Sequence, residues 1–228
     1  GKTAVLNVSD VPKVTETLVD LFKIDMETGK ATAQGDAALA GAEFTWHYYD
    51  GFYTKDNLPE KATRTWVTKT VAEKDSNGTV QLVDAYKVSG DVFYTQNEKS
   101  VLPLGTLNVE ETKAPDGYLL DGAYMQAGDI TEQIKGMYLT QITEDGELAV
   151  LSGRNQYSVS DQVIRGGVKI QKRDLETKDT KAQGSATLKD TGFAIISLNE
   201  NPVLVEGKLY KKNETVKTIQ TGIDGIAT

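Results

Sequence analysis

Leu107-Asn108-Val109-Glu110-Glu111-Thr112-Lys113-Ala114-Pro115-Asp116-Gly117-Tyr118 is the stretch on which the reading of this chain turns. Leu107, Val109 and Glu111 alternate with Asn108 and Glu110, and alternate residues of a strand share a face. A strand that turns Leu107 and Val109 into a core therefore turns Glu111 inward too. An inward carboxylate is costly unless it is paired or protonated. Ala114-Pro115-Asp116-Gly117 then ends the strand, because proline and glycine punctuate regular structure. The competing register leaves Glu111 outside and Glu110 half-buried.

Short strands extend from this stretch in both directions. Leu18 to Asp25 carries Val19, Leu21 and Lys23 on one face and Asp20, Phe22 and Ile24 on the other. Both faces are partly apolar, as in a strand covered on both sides. Ala42 to Tyr49 and Arg64 to Ala72 bring Trp46, Tyr48, Trp66 and Val67, the aromatic and β-branched content of strands. Asp75-Ser76-Asn77-Gly78 has the composition of a turn, with a short strand at Val80-Gln81-Leu82 after it. Val92-Phe93-Tyr94 and Gly105 to Thr112 add strands, while polar Ala123 to Lys135 reads as a loop or short helix. Met137 to Ile142 and Glu147 to Leu151 flank Glu144-Asp145-Gly146 as a hairpin, and Asn155 to Ile164 closes the unit. Many short strands with Gly and Asn turns predict an all-β chain folded as a β-sandwich.

The chain repeats itself. Val168 to Thr177 aligns with Val19 to Thr28 at a constant offset of 149 positions, Lys23 falling on Lys172. The alignment continues without a gap through Ala33-Gln34-Gly35 against Ala182-Gln183-Gly184, with Leu39 on Leu188 and Phe44 on Phe193. A repeat this long at one offset predicts two copies of one domain. The expected division is a leader over residues 1–16, a complete sandwich over 17–165 and the first part of a second copy over 166–228, with Arg165-Gly166-Gly167 as the boundary. The second copy has Lys172 but no counterpart of Glu111 or Asp161. Val8-Ser9-Asp10 of the leader repeats as Val159-Ser160-Asp161, so the leader reads either as the last strand of a preceding domain or as a loosely paired terminus.

Glu111-Thr112-Lys113-Ala114-Pro115-Asp116-Gly117-Tyr118 resembles the E-box of Cna B-type (SpaA-like) domains, which build pili and surface adhesins of Gram-positive bacteria. Lys23 in Leu21-Phe22-Lys23-Ile24-Asp25, the segment from Gln34-Gly35 to Phe44, and Tyr157-Ser158-Val159-Ser160-Asp161 are similar to further parts of that family's pattern. Together they cover nearly the whole chain. The resemblance implies an immunoglobulin-like sandwich in which a buried Glu promotes a spontaneous isopeptide bond between a Lys of the first strand and an Asp or Asn of the last. Carried onto this sequence, it implies Lys23 and Asp161 as the bonded pair, Glu111 as the catalytic acid and Lys172 as an unpaired equivalent of Lys23. Asn155 is a rival acceptor on the same face as Asp161. Without the resemblance, Lys23 reads as a lysine snorkelling at a sheet edge and Asp161 as a solvated strand end.

Composition sets the outer bounds. The chain has 228 residues, 39% hydrophobic and 25% charged, which is globular rather than disordered. It has no cysteine, hence no disulfide framework or thiol chemistry. A net charge of −8 provides no basic footprint for nucleic acid and opposes anionic membranes. No apolar run approaches membrane-spanning length. No signal peptide opens the sequence, so a secreted parent is represented here by an excised fragment. Leu102-Pro103-Leu104-Gly105-Thr106 mimics a sortase sorting signal, but its Gly and Thr are in the wrong order.

The resemblance implies a cell-wall-anchored, extracellular stalk or pilin module whose partners are neighbouring domains or subunits of the same protein. Its chemistry runs once, without turnover and without a cofactor. A ligand- or glycan-binding adhesin is the alternative, with Trp46-His47-Tyr48-Tyr49 and Phe52-Tyr53 as a stacking surface for a host ligand. Aromatics in strands are more often packing than platform. A glycoside hydrolase on paired carboxylates is a third class, drawing on Asp25-Met26-Glu27, Glu110-Glu111 or Glu144-Asp145. His47 is the only histidine and cysteine is absent, so a metal site is not expected.

Overall fold

The computed structural model describes residues 13–16, 20–73, 76–127, 134–135, 137–142 and 156–228. Along the chain the strands are β1 (Val14–Glu16), β2 (Asp20–Asp25), β3 (Glu43–Tyr49), β4 (Arg64–Lys69), β5 (Val71–Glu73), β6 (Ser76–Gln81), β7 (Lys87–Gly90), β8 (Tyr94–Gln96), β9 (Lys99–Pro103), β10 (Gly105–Lys113), β11 (Tyr118–Ala127), β12 (Ile134–Lys135), β13 (Met137–Ile142) and β14 (Gln156–Val163). A single turn of 3₁₀ helix at Asp84–Tyr86 is the only helical element among the described residues. Together these strands make a sandwich, the unit that ends at β14. One sheet runs β13-β10-β3-β4-β7 and the other β12-β11-β14-β2-β6-β5, with a small third sheet β1-β9-β8.

Alternation produces the core. Phe44, Trp46 and Tyr48 of β3 and Leu107 and Val109 of β10 face inward from one sheet. Leu21 of β2, Val80 of β6 and Val159 of β14 meet them from the other, and all join one buried cluster. Trp66 stacks on Phe93 with ring centroids 5.2 Å apart. The indole N–H of Trp46 donates to Thr68 Oγ1 at 2.7 Å, so the largest side chain of β3 is buried without an orphaned donor.

Two connections bring distant parts of the chain together. β2 and β14, the first and last long strands of the unit, are parallel neighbours, with Lys23 opposite Val159 and Asp25 opposite Asp161. The turn after β10 carries the chain from one sheet to the other. It is closed by the Tyr118 N–H donating to the Pro115 carbonyl at 3.1 Å. Gly117 sits in it at φ +86°, where an added Cβ would lie 2.5 Å from Ala37 Cβ.

Several local expectations differ from the structure. Ser76 to Gly78 are not a turn but the start of β6, which pairs with β5 and β2. Gly78 serves here as a space-saver rather than a turn former, since a Cβ on it would meet Lys23 Cβ at 2.9 Å and Leu39 Cβ at 3.0 Å. The expected loop or helix from Ala123 begins as strand, because β11 pairs with β14 as far as Ala127 opposite Tyr157. Tertiary pairing outweighs a weak local preference. Val92 is exposed and the strand begins at Tyr94. Of the leader, Val14–Glu16 pairs antiparallel with β9, while residues 1–12, including Val8-Ser9-Asp10, lie outside the described residues. Glu147 to Leu151 and Glu144-Asp145 lie outside them too.

Beyond Arg165 the chain forms three two-stranded sheets: β15 (Ile170–Gln171) with β20 (Ile226–Ala227), β16 (Gly192–Ile196) with β19 (Thr215–Gln220), and the hairpin of β17 (Val203–Val205) and β18 (Lys208–Tyr210). Glu206 at φ +49° and Gly207 at φ +80° turn that hairpin, both positive as the favoured two-residue turns require.

Gly117→Ala is expected to lower stability by about 1–3 kcal/mol, since it adds left-handed strain to a clash with Ala37. Thermal unfolding of the variant beside the parent chain checks this.

Candidate functional site

Lys23 lies in the middle of β2 on the inward face that also holds Leu21 and Asp25, and is 1% exposed. Lysine is almost never buried so completely without a partner. β6 lies beside β2 in the sheet, and its Gly78 leaves room for the Lys23 stem, since a Cβ there would lie 2.9 Å from Lys23 Cβ. The Phe44 ring stands 6.0 Å from Nζ. This is an apolar socket around an amine.

Two carboxyl groups enter it from different strands. Asp161, 0% exposed, comes from the adjacent β14 and places Oδ2 2.8 Å from Lys23 Nζ. Glu111, 8% exposed, reaches across the sandwich from β10 and accepts a hydrogen bond from Lys23 Nζ at 2.7 Å. Lys23, Glu111 and Asp161 thus converge on one point between the sheets. The two contacts differ in kind. The amine donates to Glu111 in hydrogen-bond geometry and meets Asp161 Oδ2 as a close ion pair, while the Glu111 and Asp161 carboxyls also interact with each other.

Burial drives the Glu111 pKa up to about 8; the Lys23 ammonium opposes the rise and the Asp161 charge adds to it. Burial raises Asp161 as well, again against the pull of Lys23. Desolvation disfavours the carboxylate form of both acids. The chemistry available is proton exchange between an amine and two acids, with the amine against one carboxyl carbon.

Asp25, two residues beyond Lys23 on the same face, is equally buried but fully engaged. Its Oδ1 accepts from the Thr28 N–H at 2.8 Å, its Oδ2 from the Tyr118 hydroxyl at 2.9 Å, and both oxygens from Gln34 Nε2 at 3.0 Å. Burial, then Asp25, pushes the Tyr118 hydroxyl pKa well above its usual range. Sequence reading gave Asp25, Tyr118 and Gln34 no joint role. The signal was present in the alternation that puts Asp25 beside Lys23, but nothing local reveals that Gln34 folds back onto it.

Asn155, the rival acceptor, lies outside the described residues. Lys172 is half-buried; its backbone N–H donates to the Gly225 carbonyl, and no carboxylate among the described residues pairs with its ammonium. The aromatic stretch is largely core. Trp46 and Tyr48 are buried, Tyr49 packs edge-on against Tyr53, and Phe52 alone is open at 55% exposure. His47 sits beside Thr65 with Nδ1 3.2 Å from its hydroxyl. No group of three His, Cys, Asp or Glu among the described residues is arranged to hold a metal ion.

A family model for the SpaA prealbumin-like fold domain matches residues 24–134. The match takes in β2 from Ile24 through β12 and includes Glu111; Lys23 and Asp161 flank it. No curated protein matches the chain.

Replacing Lys23 removes the cation and leaves two buried acids facing each other. In Lys23→Met both acids hold protons in the folded state that the unfolded chain has already released. Stability is then greatest below the ordinary carboxylate range and falls as pH rises through it, because the folded state binds more protons. Urea midpoints at pH 5 and pH 8 check the sign, the midpoint at pH 5 being the higher.

Proposed function

Because the chain carries, over residues 24–134, a domain of the SpaA prealbumin-like fold family, we propose that it is a stalk module of a Gram-positive surface protein or pilus, held shut by an intramolecular Lys23–Asp161 isopeptide bond. The observation that carries the proposal is the Lys23 amine 2.8 Å from a buried Asp161 carboxyl, next to a Glu111 whose pKa is raised to about 8.

The proposed reaction balances without a cofactor. Glu111 takes one proton from the Lys23 ammonium, and the neutral amine attacks Cγ of protonated Asp161. The C–N bond forms and the C–OH bond breaks. Glu111 hands its proton to the departing hydroxyl, which leaves as water, and takes one from the nitrogen, ending protonated as its raised pKa favours. Adjacent strands supply the proximity that activation of the carboxyl would otherwise provide. The product replaces two buried ionisable groups with an amide. The event happens once per chain, so this is not a turnover enzyme.

The mechanical consequence comes from topology. β2 and β14 are parallel neighbours, so the amide ties the first long strand to the last. Load entering before β2 and leaving after β14 passes through that bond rather than through the hydrogen-bonded core. The family's setting makes the site of action extracellular, with neighbouring units of the same protein as partners.

Recurring hydrogen bonds support the tandem-repeat reading. In the first unit Asp25 Oδ1 accepts from the Thr28 N–H and Gln34 Nε2, and Glu27 Oε2 accepts from Gln34 Nε2. In the second, Asp174 Oδ1 accepts from the Thr177 N–H and Gln183 Nε2, and Glu176 Oε2 accepts from Gln183 Nε2. Thr70 Oγ1 donating to Leu39 O likewise matches Thr221 Oγ1 donating to Leu188 O.

Intact mass of the purified chain is expected to fall below the sequence mass by one water, with digestion yielding a branched peptide joining Lys23 to Asp161 and Lys172 remaining a free amine. Loss of ammonia would move the acceptor to an asparagine such as Asn155, and an unchanged mass would end the proposal. Glu111→Ala is expected to fold without the bond, to regain the missing water in its mass and to melt lower.

A further inference from the structure

The junction between the two units is built around Gln34. This side chain is 3% exposed although it lies on a loop. Its Nε2 is committed to Asp25 and Glu27, at 3.0 Å each. That fixes the amide orientation and leaves Oε1 pointing outward. Oε1 accepts the backbone N–H of Leu204, in β17 of the second unit, at 2.7 Å, and Arg165 Nη2 at 3.1 Å. Beside it, Asn201 Nδ2 donates to the Gly35 carbonyl at 3.1 Å. Gly35, at φ +58°, is covered so closely that a Cβ would lie 3.2 Å from Asn199 Nδ2 and 3.3 Å from Val203 Cγ1. Pro202 and Leu209 line a small, mostly apolar cavity together with Thr28 and Ala33. Arg165 also grips Glu27 with two nitrogens. Burial alone would raise the Glu27 pKa, but hydrogen bonds from Arg165, Gln34 and Gln162 bring it below the usual value.

The second unit carries the same loop without its cover. Gln183 Nε2 is committed to Asp174 and Glu176, as Gln34 is to Asp25 and Glu27. Gln183 is exposed and its Oε1 has no hydrogen-bond partner among the described residues. Gly184 has φ +56°, near that of Gly35, yet an added Cβ would meet nothing within 4 Å. The two loops share one internal geometry; the first is covered by the hairpin and by Tyr118, Gln162 and Arg165, and the second by none of these.

We propose that this loop is a seat for a β-hairpin of the β17–β18 kind. In the first unit the seat is filled and holds the two units in one orientation. In the second, Gln183 offers the same acceptor to such a hairpin carried by another unit. The partner chemistry is defined by the filled copy: an outward backbone N–H for the glutamine Oε1, a side-chain amide donor for the glycine carbonyl, and a Pro-Val apolar edge over the glycine. Units joined this way stack as a stiff rod, whereas domains joined by a linker alone move freely by default. The proposal does not depend on the Lys23–Asp161 bond.

Two measurements on the full chain test it. Because the chain has no cysteine, Asp56→Cys and Lys217→Cys accept a nitroxide pair, one in each unit. The inter-label distance distribution is expected to be narrow, and to broaden in Gln34→Met and in Asn201→Ala combined with Leu204→Pro. The second variant alters only the hairpin, so it decides the outcome should Gln34→Met disturb the first unit. For the open seat the probe is a peptide of residues 199–212, cyclised through added terminal cysteines and titrated to millimolar concentration. It is expected to shift the Gln183 side-chain amide resonances of the ¹⁵N-labelled chain, and Gln183→Ala is expected to abolish the accompanying shifts of Thr177 and Gly184. A broad distance distribution in the parent, a narrow one that survives both variants, or an absence of shifts at Gln183 overturns the proposal.

Discussion

Three ionisable groups share one dry point in this sandwich, and the architecture around them is what makes that tolerable. Taking an ion out of water costs several kcal/mol even after relaxation. Lys23 has Glu111 at 2.7 Å and Asp161 at 2.8 Å to offset that cost. Each partner arrives from a different strand. Asp161 requires β14 beside β2 in parallel, and Glu111 requires β10 directly across the core. Loss of one partner leaves the others uncompensated, a change of about 3–5 kcal/mol for buried pairs. The strand order and the ionic cluster therefore constrain each other.

Asp25 and Asp161 are opposite one another on β2 and β14, both fully buried, yet their situations diverge. Asp25 is satisfied by Thr28, Gln34 and Tyr118, all of them neutral donors. Asp161 instead faces two ionisable groups, the Lys23 amine at 2.8 Å and the Glu111 carboxyl. Burial raises the Asp161 pKa toward the neutral acid, against the pull of Lys23. Under the proposed function, the neutral donors around Asp25 and the ionisable partners around Asp161 separate the aspartate of the frame from the acceptor, a distinction that the two residues' types and faces do not make.

The sequence was legible where it is periodic. Alternation in Leu107 to Glu111 put a carboxyl on the core face, alternation in Leu21 to Asp25 put a lysine there, and the structure places both inward. The all-β class was readable for the same reason. Misreadings occurred where composition and pairing disagree. Ser76-Asn77-Gly78 looks like a turn, but its glycine is needed because β6 packs beside β2 at Lys23, a contact more than fifty residues away in sequence. β11 extends into residues that lack strand character because β14 offers it a partner. The Gln34 loop was visible only as a repeated Ala-Gln-Gly. Its role depends on side chains from positions 25, 27 and 165 and the backbone at 204, a combination that no local window contains.

Under the proposed function, the two features of the first unit divide the mechanical work by direction. A covalent tie between β2 and β14 resists extension, because these strands are the entry and exit of the load. It does nothing against bending at the exit. Arg165 comes almost at once after β14, and it grips Glu27, which stands just as close after β2. The chain thus leaves the first unit clamped to the end of the strand by which it entered. Gln34, also locked to Glu27, carries that clamp onto the second unit through Leu204. Hydrogen bonds and one ion pair suffice there because a bending load is spread over a hairpin, whereas a pulling load concentrates on one strand pair. Placing a covalent bond in the strand pair and a reversible polar seat at the joint matches each interaction's strength to the load it meets.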